Sequence, residues 1–298
     1  MTQLGALIKR NCKLFFKDKG MFFTSLITPL ILLVLYITFL AKIYRDSFAD
    51  AIPPGFSISD SVIDGIVGGQ LVSSLLAVCC VTVAFCSNLL IVQDKISGAR
   101  RDLTMSPIKS STLALGYFVA SFGATLIICF VALGACLGYL SFMGWYLSAM
   151  DVFLLVLDVV ILALFGTALS SLINCNLSTN GQGSAVGTIV SAGYGFICGA
   201  YMPISNFGEG LQKVLSFFPG TYGTSLLRNH ALRGAYAKLS ELGVPEKIIE
   251  KIKDGIDCNI YFFGDKVELS AMYGVMVATV VLLILGYVLL CRVRKEKG

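Results

Sequence analysis

The chain has 298 residues, of which 56% are hydrophobic and only 14% are charged, with a net charge of +5 and a mean hydropathy of +0.81. A soluble domain carries roughly 25% charged residues, so this composition excludes an ordinary globular enzyme and indicates a polytopic membrane protein. The modest positive charge is explained by basic cytosolic loops, and we expect no nucleic-acid partner.

Residues 2–19 combine apolar and basic side chains at helical spacing. This pattern predicts an amphipathic helix that lies in the membrane interface. The alternative, an ordinary surface helix, is disfavoured because a long apolar segment follows at once. The apolar positions are Leu4, Leu7, Ile8, Leu14 and Phe15, and the basic positions are Lys9, Arg10, Lys13 and Lys17.

Six apolar segments are long enough to cross a bilayer, which requires about 20 residues. Together they predict an all-α membrane protein, with residues 1–298 forming a single transmembrane domain. The segments lie near residues 22–43, 65–92, 113–142, 152–173, 183–203 and 270–291.

The distribution of lysine and arginine predicts the orientation. The N-terminal segment has five, the loop between spans 2 and 3 has four, and the C-terminal tail has four, whereas the short loops on the opposite side have two. Cytosolic loops carry the excess of basic residues, so both termini are expected in the cytosol. We expect a multi-pass protein of a bacterial cell membrane.

Asp158 is the one charged residue deep inside a predicted span, and Asp151 lies on the same helical face nearer the outer edge. An intramembrane charge is expensive and indicates a function or a partner. Asp158 therefore either contacts substrate or pairs with polar groups across the bundle, and we favour pairing. A single carboxylate without Lys, Arg or His in another span is a thin basis for a proton relay.

The fifth predicted span has a small residue at every fourth position. Such a stripe makes one helix face nearly smooth and allows close approach of another helix. Tight packing within the chain and a dimer seam or translocation lining are about equally favoured. The stripe consists of Gly183, Gly187, Ser191, Gly195 and Gly199.

Residues 204–268 are the one sizeable region outside the spans and are expected to be external. Pro203, Gly208 and Pro219 break its start into short pieces, which predicts re-entrant or interfacial helices before span 6. Residues 245–255 are predicted to form a short amphipathic helix and residues 258–264 an extended segment.

No sequence motif for chemistry is present: there is no phosphate-binding loop, no HExxH and no GxSxG. The single histidine, His230, is interpreted as a plain polar residue. Among the ten cysteines no metal-binding spacing occurs, and Cys258 is either a free thiol or an intersubunit bridge. We therefore expect no catalytic residue, metal or cofactor on this chain, and an energy source outside it.

Residues 93–109 form a basic, polar island between spans 2 and 3, punctuated by glycine and proline. The island resembles the intracellular loop of the type-2 membrane-domain family of ATP-binding-cassette exporters. Two positions depart from the family pattern, because Ile96 replaces a common second acid and Ala99 replaces a usual threonine. The positions in register with the family are Asp94, Lys95, Gly98, Leu103, Ser106 and Pro107.

The resemblance implies a membrane subunit that faces a second membrane subunit, identical or related, and binds a separate ATPase subunit that holds ATP and magnesium. Residues 93–109 would then be the cytosolic coupling segment, and the substrate an amphipathic or lipid-like molecule exported from the cytoplasm. The expected docking residues are Asp94, Lys95, Gly98, Arg100, Arg101, Asp102 and Pro107.

The sequence leaves three alternatives open. In the first, the island is only an ordinary basic loop. In the other two, the protein is a gradient-driven carrier or channel without an ATPase, or a membrane-embedded enzyme with an unrecognised site. Uncoupler-sensitive transport that needs no ATP would favour the carrier. Conversion of a lipid by the purified chain alone would favour the enzyme.

Overall fold

The computed structural model describes residues 2–51 and 58–296, which are almost entirely helical. A two-stranded antiparallel hairpin, β1 (Tyr261–Phe262) and β2 (Asp265–Lys266), is the sheet within these residues. The helices are α1 (Gln3–Lys17), α2 (Lys19–Leu35), α3 (Ala41–Ala51), α4 (Asp60–Asn88), α5 (Leu90–Ile96), α6 (Ala99–Met105), α7 (Ser110–Met143), α8 (Ala149–Asn174), α9 (Asn180–Ile197), α10 (Glu209–Leu215), α11 (Pro219–Glu241), α12 (Glu246–Gly255) and α13 (Leu269–Glu296).

Five helical segments of the described chain are long and apolar enough to cross a membrane. They correspond to predicted spans 1, 2, 3, 4 and 6. The predicted fifth span is also a helix, α9, but its glycine, serine, threonine and amide residues keep it below the hydropathy of the other five. The segments are Lys19–Asp46, Asp60–Ile96, Ser110–Met143, Ala149–Asn174 and Leu269–Cys291.

Helix α4 forms the centre of the bundle and is buried on all sides by α2, α7, α8 and α11. Small residues permit this burial: a Cβ at Gly166 of α8 would lie 2.8 Å from the carbonyl oxygen of Cys80. Polar side chains also link the helices, as Asn88 donates hydrogen bonds to Ser170 and Ser171 at 3.0 and 2.6 Å. Close backbones and interhelical hydrogen bonds hold such bundles together.

The amphipathic N-terminal helix is confirmed as α1, which begins at the N-cap Thr2. Its buried stripe contains Leu7 and Phe15, as expected, and also the polar Asn11. The helix lies along α7, where Gly116 provides the space for Leu7. This contact connects α1 with the helix that follows the 93–109 segment.

The 204–268 region is only partly as predicted. Short pieces do follow Pro203, namely a 3-10 turn (Ile204–Asn206) and α10, but Pro219 begins a 23-residue helix, α11, instead of another short piece. Proline is favoured in the first turn of a helix, where its missing N–H costs nothing. Helix α11 is buried against α4, α8 and α13. The predicted helix over 245–255 is confirmed as α12, and the extended segment contains β1.

Cys258 lies in the interior and is only 1% exposed. Its sulfur lies 3.7 Å from the hydroxyl of Tyr236, and burial raises the pKa of the thiol to about 12. The thiol is therefore protonated and inaccessible, which argues against the intersubunit bridge considered from the sequence.

Candidate functional site

The 93–109 segment contains the end of α5, a tight turn, the short helix α6 and a non-helical stretch that leads to α7. Gly98 occupies this turn with a φ of 83°, a conformation that glycine adopts without steric cost. Pro107 follows α6 in the extended stretch that leads into α7. The segment is therefore a compact helix–turn–helix element at one end of the bundle.

Asp94 lies inside this element and is 5% exposed. Its carboxylate accepts two hydrogen bonds from the Arg10 guanidinium, at 2.7 and 3.0 Å, and one from the Tyr117 hydroxyl at 2.5 Å. Bidentate pairing between arginine and a carboxylate fixes the relative orientation of both groups. Asp94 thus joins the end of α5 to α1 and α7.

Lys95 is directed toward the connection between α8 and α9. Its Nζ donates hydrogen bonds to the carbonyl oxygens of Cys175 and Leu177, at 2.5 and 2.6 Å. These carbonyls belong to the residues that follow the end of α8. Lys95 therefore ties α5 to a third part of the bundle.

The residues of this segment that remain accessible to another protein lie mainly on α6. Arg101, Asp102 and Pro107 are exposed, whereas Arg100 and Gly98 are half-buried. Met105 is 79% exposed at the end of α6, which is unusual for a large apolar side chain. A protruding thioether flanked by charged groups is suited to contact another protein.

A large apolar groove of about 1600 Å³ lies beside α9, and Cys86 and Leu89 at the end of α4 contribute to its lining. One wall is the first span, including the π-helical turn Tyr36–Leu40 within it, and the other wall is α9. Residues 201–206 and α12 close one end. Single π-helical turns occur often at functional sites of helices.

The glycine stripe predicted in α9 divides between this groove and the interior. Gly183, Gly187 and Ser191 line the groove, and no heavy atom lies within 4 Å of a Cβ placed at Gly187. Gly195 instead packs directly against the Tyr201 ring. Gly199 lies beyond α9 in a turn with a φ of 74°.

Asp158 does not line the groove but lies between α8, α11 and α13. Its carboxylate contacts Nδ1 of His230 at 2.6 Å and accepts a hydrogen bond from the Tyr273 hydroxyl at 2.5 Å. The interpretation of His230 as a plain polar residue was therefore wrong, because that residue is 5% exposed and pairs with the buried acid. Asp158 therefore pairs with polar groups on other helices of the bundle, which is the interpretation favoured from the sequence.

Two further ion pairs connect α11 to its surroundings. Arg233 Nε lies 2.5 Å from a carboxylate oxygen of Asp151, the residue that also completes the capping box of α8. Arg228 pairs with Asp257 at 3.2 Å and also donates to the Gly199 carbonyl oxygen. Sequence reasoning missed these pairs. One sequence signal for buried pairs was available, because three basic side chains occur close together in a stretch that also contains apolar residues.

The residues that the structure describes contain no group of three His, Cys, Asp or Glu side chains placed to hold a metal ion. The arrangement contains a rigid helical element with an exposed basic surface, a large apolar groove and several buried ion pairs. These features are suited to transmitting force and accommodating an apolar molecule.

The family model described as ABC-2 type transporter matches residues 2–231. Because this match spans well over half of the chain, the chain belongs to the ABC-2 type transporter family. The matched region is the transmembrane subunit and carries no ATPase domain. ABC-2 permeases pair with ATP-binding subunits. No curated protein matches the sequence significantly.

Proposed function

We propose that this member of the ABC-2 type transporter family exports an amphipathic or lipid-like substrate from the cytoplasm, powered by an ATPase subunit that docks on the 93–109 segment. The observation that carries the proposal is the anchoring of this segment. Asp94 and Lys95 attach it to α1, α7 and the α8–α9 connection, so a force applied to α6 reaches three parts of the bundle.

The docking residues divide into two roles in this proposal. Asp94, Lys95 and Gly98 set the shape and attachment of the segment. Arg100, Arg101, Asp102 and Pro107, together with Met105, form the surface that the ATPase subunit contacts. Charged groups at such a rim make charge-assisted hydrogen bonds and select the partner.

The proposed topology has six spans, with α9 as the fifth and both termini in the cytosol. The 18 residues of α9 extend about 27 Å at 1.5 Å per residue, close to the roughly 30 Å thickness of a hydrocarbon core. The 204–268 region then lies outside. A cluster of three phenylalanine rings, with Phe217 and Phe263 exposed and Phe262 half-buried, supports placing this region at the membrane interface, where such apolar rings reach the acyl boundary.

The groove between the first span and α9 is the proposed substrate path, with a second copy of the chain or a related chain closing its open side. Apolar side chains of α2 and α9 remain exposed along it, among them Ile27, Ile31 and Phe196. A carrier driven by a proton gradient is the second candidate, because His230 and Asp158 form a buried titratable pair. The family match favours the ATP-driven exporter.

Replacing Arg100 and Arg101 together with glutamate should disrupt assembly with the ATPase subunit, or its coupling, while membrane insertion stays intact. Like charges placed at a docking surface cost several kcal/mol, so transport should decrease at least about tenfold. The measurement is substrate-stimulated ATP hydrolysis and transport in reconstituted complexes. The matched control replaces both residues with lysine, which retains the charge. Unchanged hydrolysis and transport in the glutamate variant would contradict the docking role.

Leucine at Gly187 and at Gly195 should have different effects. Gly195→Leu is expected to reduce the yield of folded protein, because its Cβ would collide with the Tyr201 ring. Gly187→Leu should fold normally but reduce transport, because the new side chain enters the groove. Gly193→Leu is the control, since its position is open and outside the groove lining. Size-exclusion profiles and transport rates distinguish these outcomes, and wild-type transport in Gly187→Leu would refute the proposed path.

A further inference from the structure

Charged side chains of the described residues occur at only one end of the groove lining. The lining includes side chains from α2, α3, α9 and α12, and among them Lys247 and Lys251 are the charged residues. Both lie on α12, four positions apart, and therefore point to the same face of that helix. The apolar groove therefore ends at two lysine side chains.

The two lysine side chains are accessible to an external ligand. Neither has an ion pair within the part of the chain that the structure describes, and both are exposed. The nearby acid Glu250 is already engaged, because hydrogen bonds from Lys253 and Lys266 lower its pKa to about 2. Among the residues that the structure describes, no aspartate or glutamate lines the groove.

The apolar part of the groove is long enough for a hydrocarbon chain. Its wall along the first span runs from Thr24 to Phe39, which at 1.5 Å per residue is about 22 Å. Side chains exposed to this space include Ile27, Ile31 and Leu35, and a hydrocarbon chain would pack against them through dispersion contacts.

We propose that the groove binds an anionic amphiphile, whose acidic head group lies between Lys247 and Lys251 and whose hydrocarbon chain lies along α2. Charge complementarity argues for this occupant, because a cationic head group would meet two like charges and a neutral one would leave both lysines without a counter-ion. The inference rests on the proposed function for the meaning of the groove, and it specifies the class of the transported molecule.

The test measures binding of radiolabelled dodecyl phosphate to the full-length chain in phosphatidylcholine nanodiscs, with empty nanodiscs subtracted. Lys247→Gln/Lys251→Gln should weaken binding about tenfold or more, since two charge-assisted hydrogen bonds are lost. Lys247→Arg/Lys251→Arg should retain most of the affinity. The matched control is Lys213→Gln on α10, an exposed lysine that does not line the groove.

Competition identifies the chemistry of the ligand. Unlabelled dodecyl phosphate should displace the probe, whereas dodecyltrimethylammonium should not, because its head group has the wrong charge. Inorganic phosphate at the same concentration should also fail, because it lacks the apolar chain. Equal binding in wild type and the double glutamine variant, or stronger binding of the cationic amphiphile, would overturn the proposal, as would full competition by inorganic phosphate.

The binding assay contains neither ATP nor the ATPase subunit. Lysine-dependent binding of dodecyl phosphate without ATP-driven movement of amphiphiles in the assembled complex would support the anion site and count against the proposed transport function. ATP-driven transport with binding that does not depend on Lys247 and Lys251 would support the transport function and overturn the anion site.

Discussion

Replacing Asp257 with alanine should lower the free energy of unfolding by about 3–5 kcal/mol, the typical result of removing one partner from a buried ion pair. Arg228 is 1% exposed and pairs with the Asp257 carboxylate at 3.2 Å. Without Asp257, the Arg228 guanidinium has no buried counter-ion among the described residues. Asp257 also accepts hydrogen bonds from the backbone N–H groups of Ile204 and Ser205, at 2.5 and 3.1 Å, which alanine cannot replace.

The loss should appear as a lower denaturation midpoint of the full-length chain in detergent micelles. Asp265→Ala removes an exposed acid in the hairpin and should change stability by less than about 0.5 kcal/mol. Combining Asp257→Asn with Arg228→Met should recover much of the loss, because the orphaned charge is gone and the amide still accepts hydrogen bonds. Equal midpoints for Asp257→Ala and Asp265→Ala would show that the pair contributes little.

Local sequence signals predicted the helical parts of this fold. Length and hydropathy predicted six spans, and five of them correspond to helices long and apolar enough to cross a membrane. The polar island at 93–109 coincides with short helical pieces between two of these spans. Gly98 and Pro107 act on their own backbone and its immediate neighbours, so their effects are visible without tertiary information.

The contacts of α11 could not be predicted in this way because they join distant parts of the chain. His230 is separated from Asp158 by 72 residues, and Arg228 from Asp257 by 29. Each residue alone has an ordinary interpretation, as a polar residue in a loop or a lone acid in a span. The helix–helix packing that brings them together depends on close approaches such as Gly223 against Leu162, which periodicity does not reveal.

The proposed docking surface was harder to predict for a related reason. The sequence assigns Asp94 and Lys95 to the same charged island as Arg101. In the structure the Asp94 carboxylate is buried and the Arg101 guanidinium is exposed, so the two side chains cannot have the same role. Nothing in the spacing indicates that Arg10, 84 residues earlier, is the partner of Asp94. The structure was therefore needed to separate the residues that anchor the segment from those that we propose contact the ATPase subunit.

Arg10→Ala should uncouple ATP hydrolysis from transport in the assembled complex. The substitution leaves the buried Asp94 carboxylate with the Tyr117 hydroxyl as its remaining side-chain partner. Arg10 is 31% exposed, so solvent screening reduces the cost below that of a fully buried pair, to about 1–3 kcal/mol. If that energy couples α1 to the segment, the ratio of transport to hydrolysis should decrease roughly 5- to 150-fold.

The same complex tests whether the effect is specific to this contact. Lys9→Ala removes a neighbouring exposed charge on α1 and should leave the coupling ratio unchanged. Arg10→Lys keeps the charge but loses the bidentate geometry, so an intermediate ratio is expected. Because α1 would move with α5 only while the ion pair holds, hydrolysis should persist in Arg10→Ala even as transport decreases. A wild-type ratio in that variant would mean that force reaches the bundle through Lys95 and α7 without α1.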